Sequence, residues 1–365
     1  MSELTRGSVL QQLLALSLVV GAATICLGGQ APASNVVVIT LDGFRWQEMF
    51  TGANPEYFKK NSKGEIDPVS QQYAGAAPAD RRAKLMPFMW SVIAKQGQVF
   101  GDPAERSLSH VTNGLWFSYP GYNEMFSGAP DPRIDSNNKI PNPNTTVMEW
   151  LNSRPGFAGK VVAFGAWDVL PSILNAGRSG IPVGGGFAPV AAPTTARERE
   201  INELAADLPA YWDYGTFDAP IVYAALDALN TRHPRVLYLM LGEGDEWAHA
   251  GRYDLYLDAT KRADRFIERI WTTLQSIPQY RNHTTLLVTT DHGRGSTPGD
   301  WTDHGRDVPA AENTWIAALG PAVPSLGVRK NLTVTTSQLA ATIASVVGED
   351  FRSARPESAP PLPLR

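Results

Sequence analysis

An α/β architecture, a three-layer sandwich with a central, mostly parallel sheet flanked by helices, follows from three features of the sequence. Four short apolar runs recur along it: VVVITL from Val36, KVVAFG from Lys160, RVLYLML from Arg235 and TTLLVTT from Thr284. None alternates polar with apolar residues and all are rich in β-branched side chains, the pattern of strands covered on both faces. Between the third and fourth runs, Ala259, Ala263, Phe266, Ile267, Ile270 and Leu274 share one face of a helix spanning Leu255 to Leu274. Three of the four runs end at an acidic group: Asp42, the segment holding Asp245, and Asp291 with His292. In open α/β sheets the carboxyl ends of the strands are where ligands bind.

The remaining elements follow in order. Residues 1–33 combine a weakly charged start, the apolar run LLALSLVVGAATICLGG and the A-x-A-like Ala31-Pro32-Ala33, which predicts a cleaved signal peptide. The run is short for a retained membrane anchor. Thr51 to Arg82 is polar and irregular, and SGIPVGGGFAPVAAPTT from Ser179 is rich in glycine and proline, so both are expected as surface excursions near the site. Helices are expected over Ile201 to Leu208 and Pro220 to Leu229, and a frayed proline-rich tail over residues 356–365. Residues 34–355 then form a single catalytic domain with loop insertions.

Composition narrows the function classes. With 365 residues and 43% hydrophobic content the chain can bury a large core, so disorder is not expected. The lone cysteine, Cys26, falls inside the predicted signal peptide, so the mature chain would carry no disulfide. The expected location is periplasmic or secreted, with no stable membrane insertion after cleavage. The net charge of −4 and the lack of a dense Lys/Arg run exclude an extended nucleic-acid footprint and leave a small phosphorylated substrate open. Oligomeric state is not written in the sequence.

Three carboxylates and three imidazoles make a candidate site for two zinc-like divalent ions: Asp42, Asp245, His249, Asp291, His292 and His304. Asp245 and His249 are four apart, one helical turn, and can grip one ion that His304 completes. Asp291 and His292 are adjacent and need the turn that Gly293 permits; with Asp42 they form the second set. Read singly, Asp42 is a helix N-cap, His249 caps a helix C-terminus and His304 is a loop surface residue. Two such ions form a clamp suited to displacement at phosphorus. Ser107, Ser109, Thr112, Ser118 and Ser127 are the hydroxyl candidates for a nucleophile, and spacing does not choose among them.

The order Asp, hydroxyl, Asp-x-x-x-His, Asp-His-Gly, His resembles the alkaline phosphatase superfamily, and within it the nucleotide pyrophosphatase/phosphodiesterase branch. The resemblance runs from Asn35 to about Leu319. It aligns SYPGYNEMFSG, Ser118 to Gly128, with that branch's Thr-x-Pro-Asn and Thr-Gly segment, and so implies Ser118 as nucleophile with Thr112 as the alternative. Serine stands for the usual threonine, and Gly121 for the asparagine. The resemblance also implies a phosphate-binding asparagine some twenty residues on, where Asn137 and Asn138 fall, with Asn138 preferred.

The chemistry implied is hydrolysis of small phosphomonoesters, phosphodiesters or nucleotides through a phosphoserine. Ser118 would join the ion of Asp42, Asp291 and His292, and the ion of Asp245, His249 and His304 would stabilise the leaving oxygen and supply the hydroxide. The rival is a sulfatase, whose S-x-P-x-R segment has arginine where this chain has Tyr122; an inactive metal-binding module is the non-enzymatic alternative. Arg178, Arg294 and Arg306 are candidate phosphate contacts. Trp116, Trp167, Trp247 and Trp301 cluster near the motifs and suit either a nucleoside or aryl pocket or the core.

Overall fold

The structure is a computed structural model that describes residues 34–364; the predicted signal peptide lies outside the described residues. Each of the four apolar runs is a strand. They become β1 (Asn35–Leu41), β4 (Val161–Gly165), β6 (Val236–Leu241) and β7 (Thr284–Thr289). With β2 (Gln98–Phe100), β5 (Val183–Gly185), β8 (Ile316–Leu319) and β9 (Gly327–Val328) they build an eight-stranded sheet in the order β5-β4-β6-β1-β7-β8-β2-β9. Within it β8 runs antiparallel to both its neighbours and every other pairing is parallel. A separate parallel pair joins β3 (Ser107–His110) to β10 (Leu332–Thr335).

Side chains alternate across this sheet because successive residues of a strand point to opposite faces. Val37, Ile39 and Leu41 of β1 enter one apolar cluster with Leu237 and Leu239 of β6 and with the helices Asp218–Thr231 and Tyr253–Ser276. Val36 and Val38 enter the other, with Tyr238 and Met240 and the helices Ser118–Ser127 and Gln338–Val346. The result is the expected α/β sandwich, and all of these elements belong to one compact unit. Helix Tyr253–Ser276 buries every residue of its predicted apolar face, Ala259, Ala263, Phe266, Ile267, Ile270 and Leu274.

Three expectations change. The helix placed at Ile201 begins at Ala196, because Thr195 accepts from the Glu198 amide at 3.1 Å and Glu198 accepts from the Thr195 amide at 3.0 Å, a reciprocal cap. The glycine-rich stretch from Ser179 contributes the edge strand β5, so it is not wholly a loop. The tail from Pro356 is packed, not frayed. Leu362 and Leu364 are buried, the Leu364 carbonyl accepts from Gln98 Nε2 at 2.7 Å, and the Leu362 amide donates to Thr342 Oγ1 at 2.8 Å. Proline content sets the tail's extended shape, but two leucines dock it in the apolar cluster.

Asp264, on the inner side of helix Tyr253–Ser276, accepts from the amides of Phe88 and Met89 at 2.8 and 2.9 Å. Burial outweighs these donors and pushes its carboxyl from the ordinary 3.8 up to about 6. A raised carboxyl gives stability that is fully present below pH 3.8 and is lost as pH rises through about 6. Urea unfolding across that window is therefore expected to show the wild type losing about 3 kcal/mol relative to Asp264→Asn, whose curve lacks this slope.

Candidate metal centre and its cavity

Register brings the acids together. Thr40 of β1 lies opposite Met240 of β6 and Thr289 of β7, so Asp42 emerges level with Gly242 on one side and Asp291 on the other. Gly43 then turns at φ 56°, a left-handed conformation suited to glycine, and an added Cβ would lie 2.4 Å from Asp245 Oδ1. Its amide donates to Asp291 Oδ1 at 3.1 Å. Behind this turn a buried Arg45–Glu48 pair, with Arg45 Nη1 on the Gly295 carbonyl at 2.7 Å and Tyr253 on Glu48 at 2.8 Å, ties the Asp42 loop to the loop after His292.

Asp42, Asp291 and His292 form the first triad, all buried. His292 Nε2 lies 3.5 Å from Asp42 Oδ1 and 3.3 Å from Asp291 Oδ2. The other polar atom of each residue is occupied: Tyr122 donates to Asp42 Oδ2 at 2.9 Å, Gly43 N to Asp291 Oδ1, and His292 Nδ1 lies 2.8 Å from the Gly293 carbonyl. Asp42 Oδ1 and Asp291 Oδ2 are buried with no donor. These outer hydrogen bonds aim the remaining atoms at one another, as outer partners do around metal ligands.

Asp245, His249 and His304 form the second triad. Helix Glu243–His249 puts Asp245 and His249 on one face, with His249 Nε2 at 3.2 Å from Asp245 Oδ2 and 3.0 Å from His304 Nε2. His304 Nε2 is 3.8 Å from Asp245 Oδ1, and its ring centroid is 4.0 Å from that of His292, so the two triads adjoin.

The groups perturb one another strongly. Burial, then the neighbouring Asp42, push Asp291 well above the carboxylate range; burial and Asp245 also raise Asp42. Burial opposes the charge on Asp245 too, but the Arg294 guanidinium and His249 hold it well below the usual range. Burial would lower His292, yet Asp291 and Asp42 carry it up to about 9; His304, buried and facing His292, is pushed well below its ordinary value. Two buried carboxylates with unpartnered oxygens and elevated proton affinity fit a divalent cation, which takes the place of those protons.

The structure sorts the hydroxyls. Thr112 donates to Glu124 at 2.8 Å, Ser109 pairs with Thr314 at 2.8 Å, Ser107 accepts from Gly101 N at 3.1 Å, and Ser127 donates to the Ala129 carbonyl at 2.9 Å. Ser118 is different: it opens the helix Ser118–Ser127 and its Oγ sits 3.3 Å from His292 Nε2. Buried Glu124 on this helix accepts from Thr112, Thr336 and Ser337, which anchors the helix. Gly121 lies where a Cβ would come within 2.6 Å of the Asp291 carbonyl, so this helix packs too closely on the first triad for an asparagine there.

Asn138 and Asn137 both line the cavity above Ser118. Asn137 is the one held, its Oδ1 accepting from Tyr119 N at 3.0 Å. Arg294 is not free for a substrate. It is buried and spent on Asp245 Oδ1, the Asp245 carbonyl at 3.1 Å and the Thr302 carbonyl. Arg178 is likewise held by Glu149, and Arg306 by the Gly114 carbonyl. Trp167 lines the cavity, whereas Trp301 stacks on Tyr57 at 5.7 Å in the core. Sequence patterns missed Trp212, Tyr214 and Lys139, which also line it; loop residues carry no periodicity to reveal them. Neither the Thr51 to Arg82 segment nor residues 179–195 reach the cavity.

The chain's eight-stranded sheet, with site residues at the carboxyl ends of its strands, matches known structures. A protein in the alkaline phosphatase superfamily from Vibrio parahaemolyticus is similar over 88% of this chain and 68% of that one, at 12% identity and a TM-score of 0.50. The fold is alkaline phosphatase-like. Phosphonate monoester hydrolase SpPMH from Silicibacter pomeroyi shares it over 90% of this chain and 77% of its own, at 15% identity and a TM-score of 0.52. So does a putative sulfatase from Bacteroides thetaiotaomicron, over 88% and 72%, at 12% identity and a TM-score of 0.54. Residues 212–313 match the model of the Metalloenzyme superfamily, a span that holds Asp245, His249, Asp291, His292 and His304. No curated protein sequence matches the chain. Among the described residues no helix is long and apolar enough to cross a membrane.

If the triads act as two alkaline phosphatase-like cation sites, His304→Ala is expected to lower the divalent-cation capacity of the chain by one, with the other ion retained. Elemental analysis of dialysed protein checks this; unchanged content would break the pairing of His304 with Asp245 and His249.

Proposed function

We propose that the chain is an exported, metal-dependent phosphoric ester hydrolase that works through a phosphoserine at Ser118. The observation that carries this is the placement of one otherwise unpartnered hydroxyl, Ser118 Oγ, 3.3 Å from His292 Nε2 and beside both triads. Zinc is the ion of choice. Three imidazoles beside three carboxylates are donors that zinc accepts and that hard cations such as magnesium and calcium do not favour.

Asp42, Asp291 and His292 would hold one ion together with Ser118, and Asp245, His249 and His304 the other. When bound, the pair of ions supplies the positive charge that acidifies a hydroxyl and neutralises ester oxygens. Ser118 Oγ attacks phosphorus, the new Oγ–P bond forms, and the ester P–O bond breaks to release the alcohol. Water then cleaves the Oγ–P bond and returns serine and phosphate. Ser118 sits at the start of a ten-residue helix, whose N-terminal dipole favours the anionic group transferred. Asn137 has its Oδ1 committed to Tyr119, which leaves its Nδ2 to donate to a non-bridging oxygen; Asn138 is its neighbour in the same wall.

The sulfatase alternative finds less support. Where the sulfatase segment has arginine, this chain has Tyr122, fully buried and hydrogen-bonded to Asp42. Two triads also exceed what a single calcium-like ion requires.

Ser118→Ala is expected to lower kcat for aryl phosphates by at least about a thousandfold, the scale of losing a covalent nucleophile. Its zinc content should stay near wild type, and wild type quenched in acid should carry phosphate on Ser118 by mass spectrometry. Turnover retained in Ser118→Ala, or aryl sulfate hydrolysed in preference to phosphate, would overturn the assignment.

A further inference from the structure

The cavity above the two triads has a volume of about 500 Å³, within the roughly 300–1,000 Å³ of small-molecule sites. It is lined by Ser118 with Asp42, Asp245, His249 and His304, and by an apolar and aromatic wall of Trp167, Val169, Trp212 and Tyr214. This wall is built before any ligand arrives. Trp167 forms an antiparallel bridge with Gly215, and the Asp168 amide donates to the Tyr214 carbonyl at 3.0 Å. Trp212 packs against Phe217 and Trp247, with centroids 5.1 and 5.0 Å apart. Trp247 belongs to the helix that carries Asp245 and His249, so the wall packs directly on the element that holds the second triad.

Charge on this side is as telling as shape. Among the described residues the only lysine or arginine lining the cavity is Lys139, and its Nζ is 2.5 Å from Asp168 Oδ2. The remaining charged group away from the triads is Glu246, which accepts from Tyr214 at 2.9 Å. A substrate with a second phosphate, sulfate or carboxylate would meet two carboxylates and no free cation. Lys139 already neutralises Asp168 and Tyr214 donates to Glu246, which leaves Asp168 Oδ1 as the acceptor without a donor and gives a cationic group little to gain.

We infer that the alcohol released from the ester is a flat, uncharged aromatic one, stacked on the Trp167 and Tyr214 wall, and that the Lys139–Asp168 pair excludes a second anionic group. This rests on the hydrolase reading above and names its substrate class.

Phenyl, 2-naphthyl and 4-carboxyphenyl phosphates, with phosphocholine and ADP, are compared on the zinc-loaded enzyme, and 2-naphthol binding is followed separately by tryptophan fluorescence. Expected are a kcat/KM for 2-naphthyl phosphate about tenfold above phenyl phosphate and 4-carboxyphenyl phosphate as the poorest aryl ester. Trp167→Ala should erase the naphthyl advantage and weaken 2-naphthol binding, with zinc content unchanged. Asp168→Asn, which frees Lys139, should raise 4-carboxyphenyl phosphate about tenfold relative to phenyl phosphate. Equal naphthyl and phenyl rates, no gain in Asp168→Asn, or a preference for phosphocholine or ADP would overturn the inference while leaving the hydrolase standing. Tryptophan-dependent binding of 2-naphthol with no ester hydrolysed would overturn the hydrolase and keep the aromatic pocket.

Discussion

Mutual repulsion among Asp42, Asp245 and Asp291 is the constraint around which the molecule is organised. Three carboxylates meet where the strand ends of β1, β6 and β7 lie side by side, and burial denies them the screening that water would give. The fold answers in two ways. Around Asp245 it supplies a fixed buried cation, Arg294, two residues past His292. Around Asp42 and Asp291 it supplies only directional hydrogen bonds from Tyr122 and Gly43, and leaves two acceptor oxygens without donors. The second arrangement is uncomfortable for an apoprotein and suited to one that binds a divalent cation.

That asymmetry shapes the rest of the site. Arg294 takes one oxygen of Asp245 and leaves Oδ2 facing His249. The guanidinium also links the loop after His292 to the helix Glu243–His249, so the geometry of one triad depends on the other. On the opposite face of the sheet, Glu124 gathers Thr112, Thr336 and Ser337 and seats the helix that begins at Ser118. These buried polar networks are satisfied on several sides and so fix the orientation of Asp245 and of the helix that begins at Ser118.

Much of this was legible before any coordinates. The four apolar runs are the four central strands, because side chains buried on both faces leave an unbroken apolar signature. All six candidate ligands meet as two triads in the grouping their spacing suggested. What spacing left open was the choice of hydroxyl, since Ser107, Ser109, Thr112 and Ser127 differ from Ser118 only in what touches them. The role of Arg294 was likewise hidden: an arginine after Asp-His-Gly suits phosphate as well as it suits a neighbouring carboxylate, and only burial beside Asp245 decides between them.

The sequence by itself determined the layers, the strand ends and which acidic and imidazole groups stand at them, because periodicity and residue chemistry are local properties. Tertiary structure alone decided the register that sets Asp42 level with Asp291, the close approach that requires Gly121, the docking of Leu362 and Leu364, and the aromatic wall facing Ser118. Each of these is a contact between segments far apart in the chain, and such contacts leave no periodic trace in either partner.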